Sequence, residues 1–212
     1  MIKYLFDPPD VIKKIFSEYY WNSNSDKILI TFDDGPNPET TETILKIMDN
    51  KNLQAIFFCV GNNANKYPNL IQEIIASGHV VGNHTYNHKI FTQNNLSLMQ
   101  NEIKSTNRLF LEKFNYTPMY FRPPHGRFNR NLQALLDDNK LKNVMWSLLT
   151  YDYKSDIKIV KFALKKYLRN NSIIVFHDSL KSKNIIEQSL NITMDIVESK
   201  NYKLGKVNEC LS

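Results

Sequence analysis

Short apolar runs recur along this chain, and stretches whose apolar positions fall three and four residues apart separate them. "KILITF" (27–32) reads as a strand. It is followed by a helical pattern over Thr40–Asn50, with Ile44, Leu45, Ile47 and Met48 on one face. "LQAIFFCV" (53–60) reads as a second strand, followed by a helix over 68–77 that stops at Gly78. The alternation continues with strands at 79–83, 118–122, 143–148 and 172–177 and helices near 94–113, 129–139, 156–168 and 184–199. A last strand is expected within 201–207. Residues 1–26 read as an N-terminal extension with a short helix after Asp10, packed onto the same single domain of 212 residues.

Strands alternating with helices imply right-handed crossovers and a parallel sheet, hence the α/β class. About seven such units fit a closed or nearly closed β/α barrel better than a six-stranded open sheet. In barrels of this kind functional residues sit at the carboxyl ends of the strands. Polar residues should therefore gather where the apolar runs stop, and they do. The first run ends in Asp33 and Asp34, the third in "NHTYNH" with His84 and His88, the fourth in "FRPPHG" with Arg122 and His125. The fifth leads to "WSLLTYDY" with Asp152, and the sixth ends in "FHDS" with His177 and Asp178. The chain has five histidines, and all but His79 lie in these segments.

Composition narrows the setting. With 42% hydrophobic residues over this length, a sizeable core forms without disulfides. The two cysteines have no metal-ligand spacing, and Cys59 in "AIFFCVG" reads as a small buried hydrophobe. The net charge of +6 comes from scattered lysines without interleaved exposed aromatics, which argues against a nucleic-acid partner and leaves room for an anionic polymer. No apolar run approaches the roughly 20 residues of a membrane span. "MIKYLFDPPD" lacks the apolar stretch of a signal peptide, so the chain as given reads as cytoplasmic, or as envelope-bound or secreted if an export segment is missing.

Taken singly, each polar cluster has a plain reading. Asp33-Asp34 before Gly35-Pro36 makes a turn, Arg122 a surface ion pair, Asp178 a turn cap, and His84 and His88 one face of a helix. Trp146 and Phe176 read as core. A zincin helix is excluded, because Thr85 stands where that motif needs Glu. Jointly, two histidines and a carboxylate form a common three-ligand set for zinc that leaves one position open. The neighbouring aspartates can then divide the work, one binding the cation and the other acting as a base, and the cation makes their proximity tolerable.

"TFDDGP", "HTYNH", "RPPHG", "WSLLTYDY" and "IIVFHDS" occur in that order. Over residues 26–207 the chain resembles carbohydrate esterase family four, the polysaccharide deacetylases with nodulation-factor deacetylase homology. The resemblance implies a deformed β/α barrel that removes acetyl groups from an acetylated glycan or oligosaccharide. The bond is usually the N-acetyl of N-acetylglucosamine in chitin or peptidoglycan, sometimes an O-acetyl of xylan. It implies that Asp34, His84 and His88 hold a divalent metal, usually Zn²⁺, and that Asp33 is the general base, oriented by Arg122. The backbone N–H of His125 would bind the oxyanion, and His177, tuned by Asp152, would be the general acid. Tyr153 and Val175 would wall the acetyl pocket, with Trp146 a further substrate-binding candidate.

This chain departs from the family pattern at three places. His125 replaces the usual Tyr, Tyr153 the usual Trp, and Leu149 an Asp of many relatives. These positions bear on the substrate more than on the reaction. Two alternatives stand beside the deacetylase: a metal-dependent hydrolase of another amide, imine or ester, and an inactive glycan-binding relative. The second should lack the base or a ligand, and this chain has both.

Overall fold

The structure, a computed structural model, describes residues 4–91 and 96–212. Its strands are β1 Lys27–Asp33, β2 Ala55–Cys59, β3 Val80–Asn83, β4 Tyr120–Phe121, β5 Lys142–Asn143, β6 Leu148–Leu149, β7 Ile173–His177 and β8 Lys203–Leu204. All pair in parallel, in the order β5-β4-β3-β2-β1-β7-β6, with β8 added at the start of β1. This seven-strand path curls into the incomplete barrel expected from the βαβ alternation. The helices are α1 Asp10–Ile15, α2 Thr41–Asn50, α3 Gly61–Lys66, α4 Pro68–Ala76, α5 Leu96–Phe114, α6 Leu132–Asp138, α7 Ile157–Tyr167, α8 Ile186–Ser199 and α9 Val207–Cys210. Residues 94 and 95, the expected start of the helix read at 94–113 (α5), lie outside the described residues.

Strand β1 shows how the sheet sorts its side chains. Ile28, Ile30 and Phe32 join Ile44 and Met48 of α2, Leu164 of α7 and Leu190 of α8 in the outer core. Leu29 packs with Ile56, Phe58 and Ile173 on the other face. With a period of two, Thr31 and Asp33 share the inner face with Leu29. The parallel register sets Asp33 beside His177 of β7 and Phe58 of β2. A second core cluster joins Tyr19 and Trp21 of the extension to Met99 and Ile103 of α5 and Leu132 and Leu136 of α6.

Some expected elements are shorter, and one is broken. The run at 143–148 is two short strands, because the carbonyls of Val144 and Met145 both accept hydrogen bonds from the Arg122 guanidinium, at 2.7 and 2.8 Å. Successive carbonyls of a regular strand point to opposite sides, so one guanidinium cannot take both from extended backbone. Residues 20–22 of the extension fill in here. Tyr20 bridges in parallel to Val144, Asn22 bridges in antiparallel sense to Ser172, and the Met145 N–H donates to the Tyr20 carbonyl at 2.8 Å. The short helix α3, "GNNANK", carries a lone buried side chain, Ala64, and so leaves no periodic signal.

Candidate active site

The site begins where β1 ends. Asp33 closes the strand on the inner face, and its Oδ1 accepts from Arg122 Nη1 at 2.7 Å. The same nitrogen donates to Thr31 Oγ1 at 2.8 Å, so the two inward residues of one strand grip one cation. Arg122 is fully buried, and its guanidinium lies 4.2 Å from the centre of the Phe58 ring. Burial pushes the guanidinium down from its ordinary value, and the charge of Asp33 pushes back.

Asp34 turns away. Its φ of 75° is left-handed, and its carboxylate faces two imidazoles instead of Arg122. Oδ1 lies 3.1 Å from His88 Nε2 and 3.6 Å from His84 Nε2. Burial works to raise the Asp34 carboxyl, but the two imidazoles overcome this and hold it well below the usual range. The Asn63 side chain anchors the Asp34 carbonyl at 2.8 Å.

Gly35 follows, and a side chain there would collide. A Cβ would lie 2.2 Å from Oδ2 of Asp178, which is fully buried and accepts from the hydroxyls of Thr40 and Thr41 at 2.5 and 2.6 Å. Asp178 is therefore the clamp of the 34–41 loop, more than a cap of its own turn. Burial raises its carboxyl to about 7 against the two hydroxyl bonds. Gly35→Ala is expected to destabilise the fold by about 1–3 kcal/mol, as overpacking does. A denaturant melt checks it, and a stability equal to the parent would refute the clamp.

His84 and His88 follow β3 in a loop, not on a helix, with Thr85 and His88 themselves left-handed. The His84 N–H donates to the Cys59 carbonyl at 3.1 Å, and the N–H groups of Gly61 and Asn62 at the start of α3 donate to the carbonyls of Thr85 and Tyr86. Glu102 of α5, buried in mid-helix, takes both the backbone and side-chain N–H of Asn87, at 2.6 and 2.8 Å. Sequence reading passed over Glu102; its signal is a carboxylate on the apolar face of a helix.

On the opposite wall, His177 Nδ1 lies 2.7 Å from Asp152 Oδ1, and the His177 N–H donates to Asp152 Oδ2 at 2.7 Å. Burial alone would lower the imidazole; the charge and hydrogen bond of fully buried Asp152 reverse this and raise it to about 9. Tyr153 stands edge-on to the His177 ring at 4.7 Å, its phenol pushed up by burial to about 12.

Between these walls lies a cavity of about 320 Å³. Of the eleven residues expected at the site, nine line it: Asp33, Asp34, His84, His88, His125, Trp146, Tyr153, Val175 and His177. The other two, Arg122 and Asp152, stand directly behind it. Leu149, Gly126 and Lys181 complete the lining. Trp146 packs against Gly126, where a Cβ would lie 2.2 Å from the indole, so it belongs to both the core and the pocket wall. His125 adopts φ 57° and sets its ring 4.7 Å from that of His88. A second cleft shares Asp34 and His88 and extends past Asn62, Asn63 and Asn87.

The donor set fits a divalent cation. Asp34, His84 and His88 each offer one ligand atom, all within 4.8 Å of one another. His84 Nδ1 lies 2.8 Å from the Arg122 carbonyl, so that nitrogen carries the proton and Nε2 presents its lone pair toward Asp34. Fixing the tautomer through the far nitrogen is the usual support of a metal-binding imidazole.

The family model for polysaccharide deacetylases matches residues 22–144, well over half of the chain. The chain belongs to the polysaccharide deacetylase family. The family is metal-dependent, in keeping with the Asp-His-His cluster. Among its members, a peptidoglycan-N-acetylglucosamine deacetylase of Bacillus cereus is 37% identical over 131 residues, covering 62% of this chain and 48% of that protein. A chitooligosaccharide deacetylase of Rhizobium leguminosarum bv. trifolii is 29% identical over 157 residues, 74% of this chain and 73% of its own. The chain spans about half the length of the first relative and 38% of the peptidoglycan deacetylases of Listeria monocytogenes that it also matches. A solved peptidoglycan N-acetylglucosamine deacetylase superposes with a TM-score of 0.84 at 26% identity, covering 96% of both chains. A family pseudoenzyme from Bacillus anthracis superposes with a TM-score of 0.80 at 20% identity, covering 91% of this chain and 68% of its own. That fold thus houses active and inactive members, and activity must be argued from side chains.

Proposed function

We propose that this chain is a zinc-dependent deacetylase that hydrolyses the N-acetyl group of N-acetylglucosamine units in a chitooligosaccharide or peptidoglycan-type glycan. The carrying observation is the separation of the two aspartates. Asp33 is bound by a buried Arg122, while Asp34 faces His84 and His88. A zinc ion held by Asp34, His84 and His88 would supply Lewis acidity to the acetyl carbonyl and to water.

The remaining work falls to the chain. Asp33, with Oδ1 fixed on Arg122, takes the proton of the attacking water as general base. The backbone N–H of His125 donates to the oxyanion. An amine leaves only when protonated, and His177, held charged by Asp152, gives that proton. Tyr153, Val175, Leu149 and Trp146 wall the cavity around the acetyl methyl.

Acetate release by the zinc-loaded protein across chitooligosaccharides, peptidoglycan fragments, acetylxylan and small N-acetyl compounds tests this. Release from the N-acetylglucosamine glycans is expected. Release from acetylxylan alone, or binding of glycans with no acetate from any of them, overturns the reading.

A further inference from the structure

Lys181 lines the catalytic cavity and has no part in the chemistry above. It stands in the turn after β7, and that turn is built, not loose. The hydroxyl of the next residue, fully buried Ser182, donates to the His177 carbonyl and to the Ser179 carbonyl at 2.9 Å. The Ser182 N–H closes the turn onto Ser179 at 3.0 Å. The backbone carrying Lys181 is thereby tied to that of His177.

Its charge is not matched by the protein. Two residues on, Lys183 pairs with Glu39, but among the described residues Lys181 forms no ion pair. A lysine lining the same cavity as two aspartates is a candidate counter-ion for them. Here Arg122 occupies Asp33, and the imidazole pair faces Asp34. Counting the cavity and its backing, Asp33, Asp34 and Asp152 stand against Arg122 and charged His177, which leaves one net negative charge. A divalent cation at Asp34 turns this into one net positive charge before Lys181 is added. Lys181 is thus an exposed, unpaired cation on the lining of a cavity with no negative charge to spare, open to an anion from solution.

We propose that Lys181 is a specificity-determining residue that binds a carboxylate carried by the sugar next to the one being deacetylated. The substrate class is then an acidic N-acetylated glycan in preference to a neutral one. This deepens the deacetylase reading and rests on it. A neutral chitooligosaccharide offers Lys181 hydroxyls alone, whereas a lactyl or uronic carboxylate gives it an ion pair at the rim.

The test compares two tetrasaccharides on the zinc-loaded protein. One is chitotetraose, and the other alternates N-acetylglucosamine with N-acetylmuramic acid bearing free lactyl carboxylates. The parent protein should prefer the acidic substrate, less so at high salt. Lys181→Gln should lower the ratio of kcat/KM, acidic over neutral, by about fivefold, the scale of one partly exposed ion pair. The change should lie in KM, and Lys181→Arg should restore the ratio. A ratio unaltered in Lys181→Gln, or equal losses on both substrates, overturns the proposal. If the parent releases no acetate from either glycan, the deacetylase reading falls. Dissociation constants measured by calorimetry then decide Lys181 separately, since an unaltered acidic-to-neutral ratio in Lys181→Gln refutes it.

Discussion

Asp33→Asn is expected to keep its metal and lose about 10²–10⁴ of the rate, the usual share of a general base. Asp34→Asn should lose metal. These residues are neighbours in sequence, yet the strand pleat and the left-handed turn at Asp34 send them to different partners. The Asp33→Asn side chain can still meet Arg122 through its amide oxygen, so the fold and the imidazole pair stay in place. It can no longer take a proton. The Asp34→Asn side chain offers a neutral oxygen where His84 and His88 need an anionic co-ligand, and metal content should fall with activity. Elemental analysis beside initial rates separates the two. Equal metal loss in both variants would contradict the division of labour, and so would full metal occupancy in His88→Ala.

Asp152→Asn should move the high-pH limb of the activity profile to lower pH and depress activity at neutrality. The sign follows from His177. Its value is raised to about 9 because Asp152 stabilises the imidazolium, so the acid form persists below that value and is lost as pH rises through it. Removing the Asp152 charge removes the main support, burial regains its lowering effect, and the proton is lost earlier. Asp34 and Asp33 add smaller raising contributions, so a cation on Asp34 brings the limb below 9 in the loaded enzyme. The same linkage bears on folding. The stability His177 contributes is full below its unfolded value of about 6.5 and fades as pH rises toward 9. A high-pH limb that stays in place in Asp152→Asn would refute the pairing.

The sequence made the strand ends legible because each combines an apolar run with a polar stop. That pattern exposed Asp33, Asp34, His84, His88, Arg122, His125 and His177. It did not show how Arg122 is held: two side chains of β1, two carbonyls at 144–145 and the ring of Phe58 meet on that guanidinium, and no local period records such a convergence. Arg122 also explains the broken run at 143–148, since its grip on the carbonyls of Val144 and Met145 defeats a sequence that otherwise favours a continuous strand. The contacts of Glu102 with Asn87 and of Asp178 with Thr40 and Thr41 stayed hidden for a related reason. Each spans a distance in sequence that composition and spacing do not bridge. The resemblance implied the pairings of Asp33 with Arg122 and of His177 with Asp152, while the structure added what anchors them, such as Thr31 and the carbonyls of Val144 and Met145 on Arg122.

The bridge made by residues 20–22 bears on how the protein can be cut and recombined. Tyr20 pairs with the backbone of Asn143 and Met145, those carbonyl-bearing turns hold Arg122, and Arg122 holds Asp33. The segment recognised as the family unit starts at residue 22, inside this chain of contacts and after Tyr20. A gene fragment or chimaera begun at residue 22 and continued to the end of the chain would retain every side chain of the cavity and still weaken the backing of Asp33. Boundaries for transplanting this catalytic unit onto another scaffold therefore belong ahead of α1, where buried Phe6 still packs into the outer core, and not where the family likeness begins.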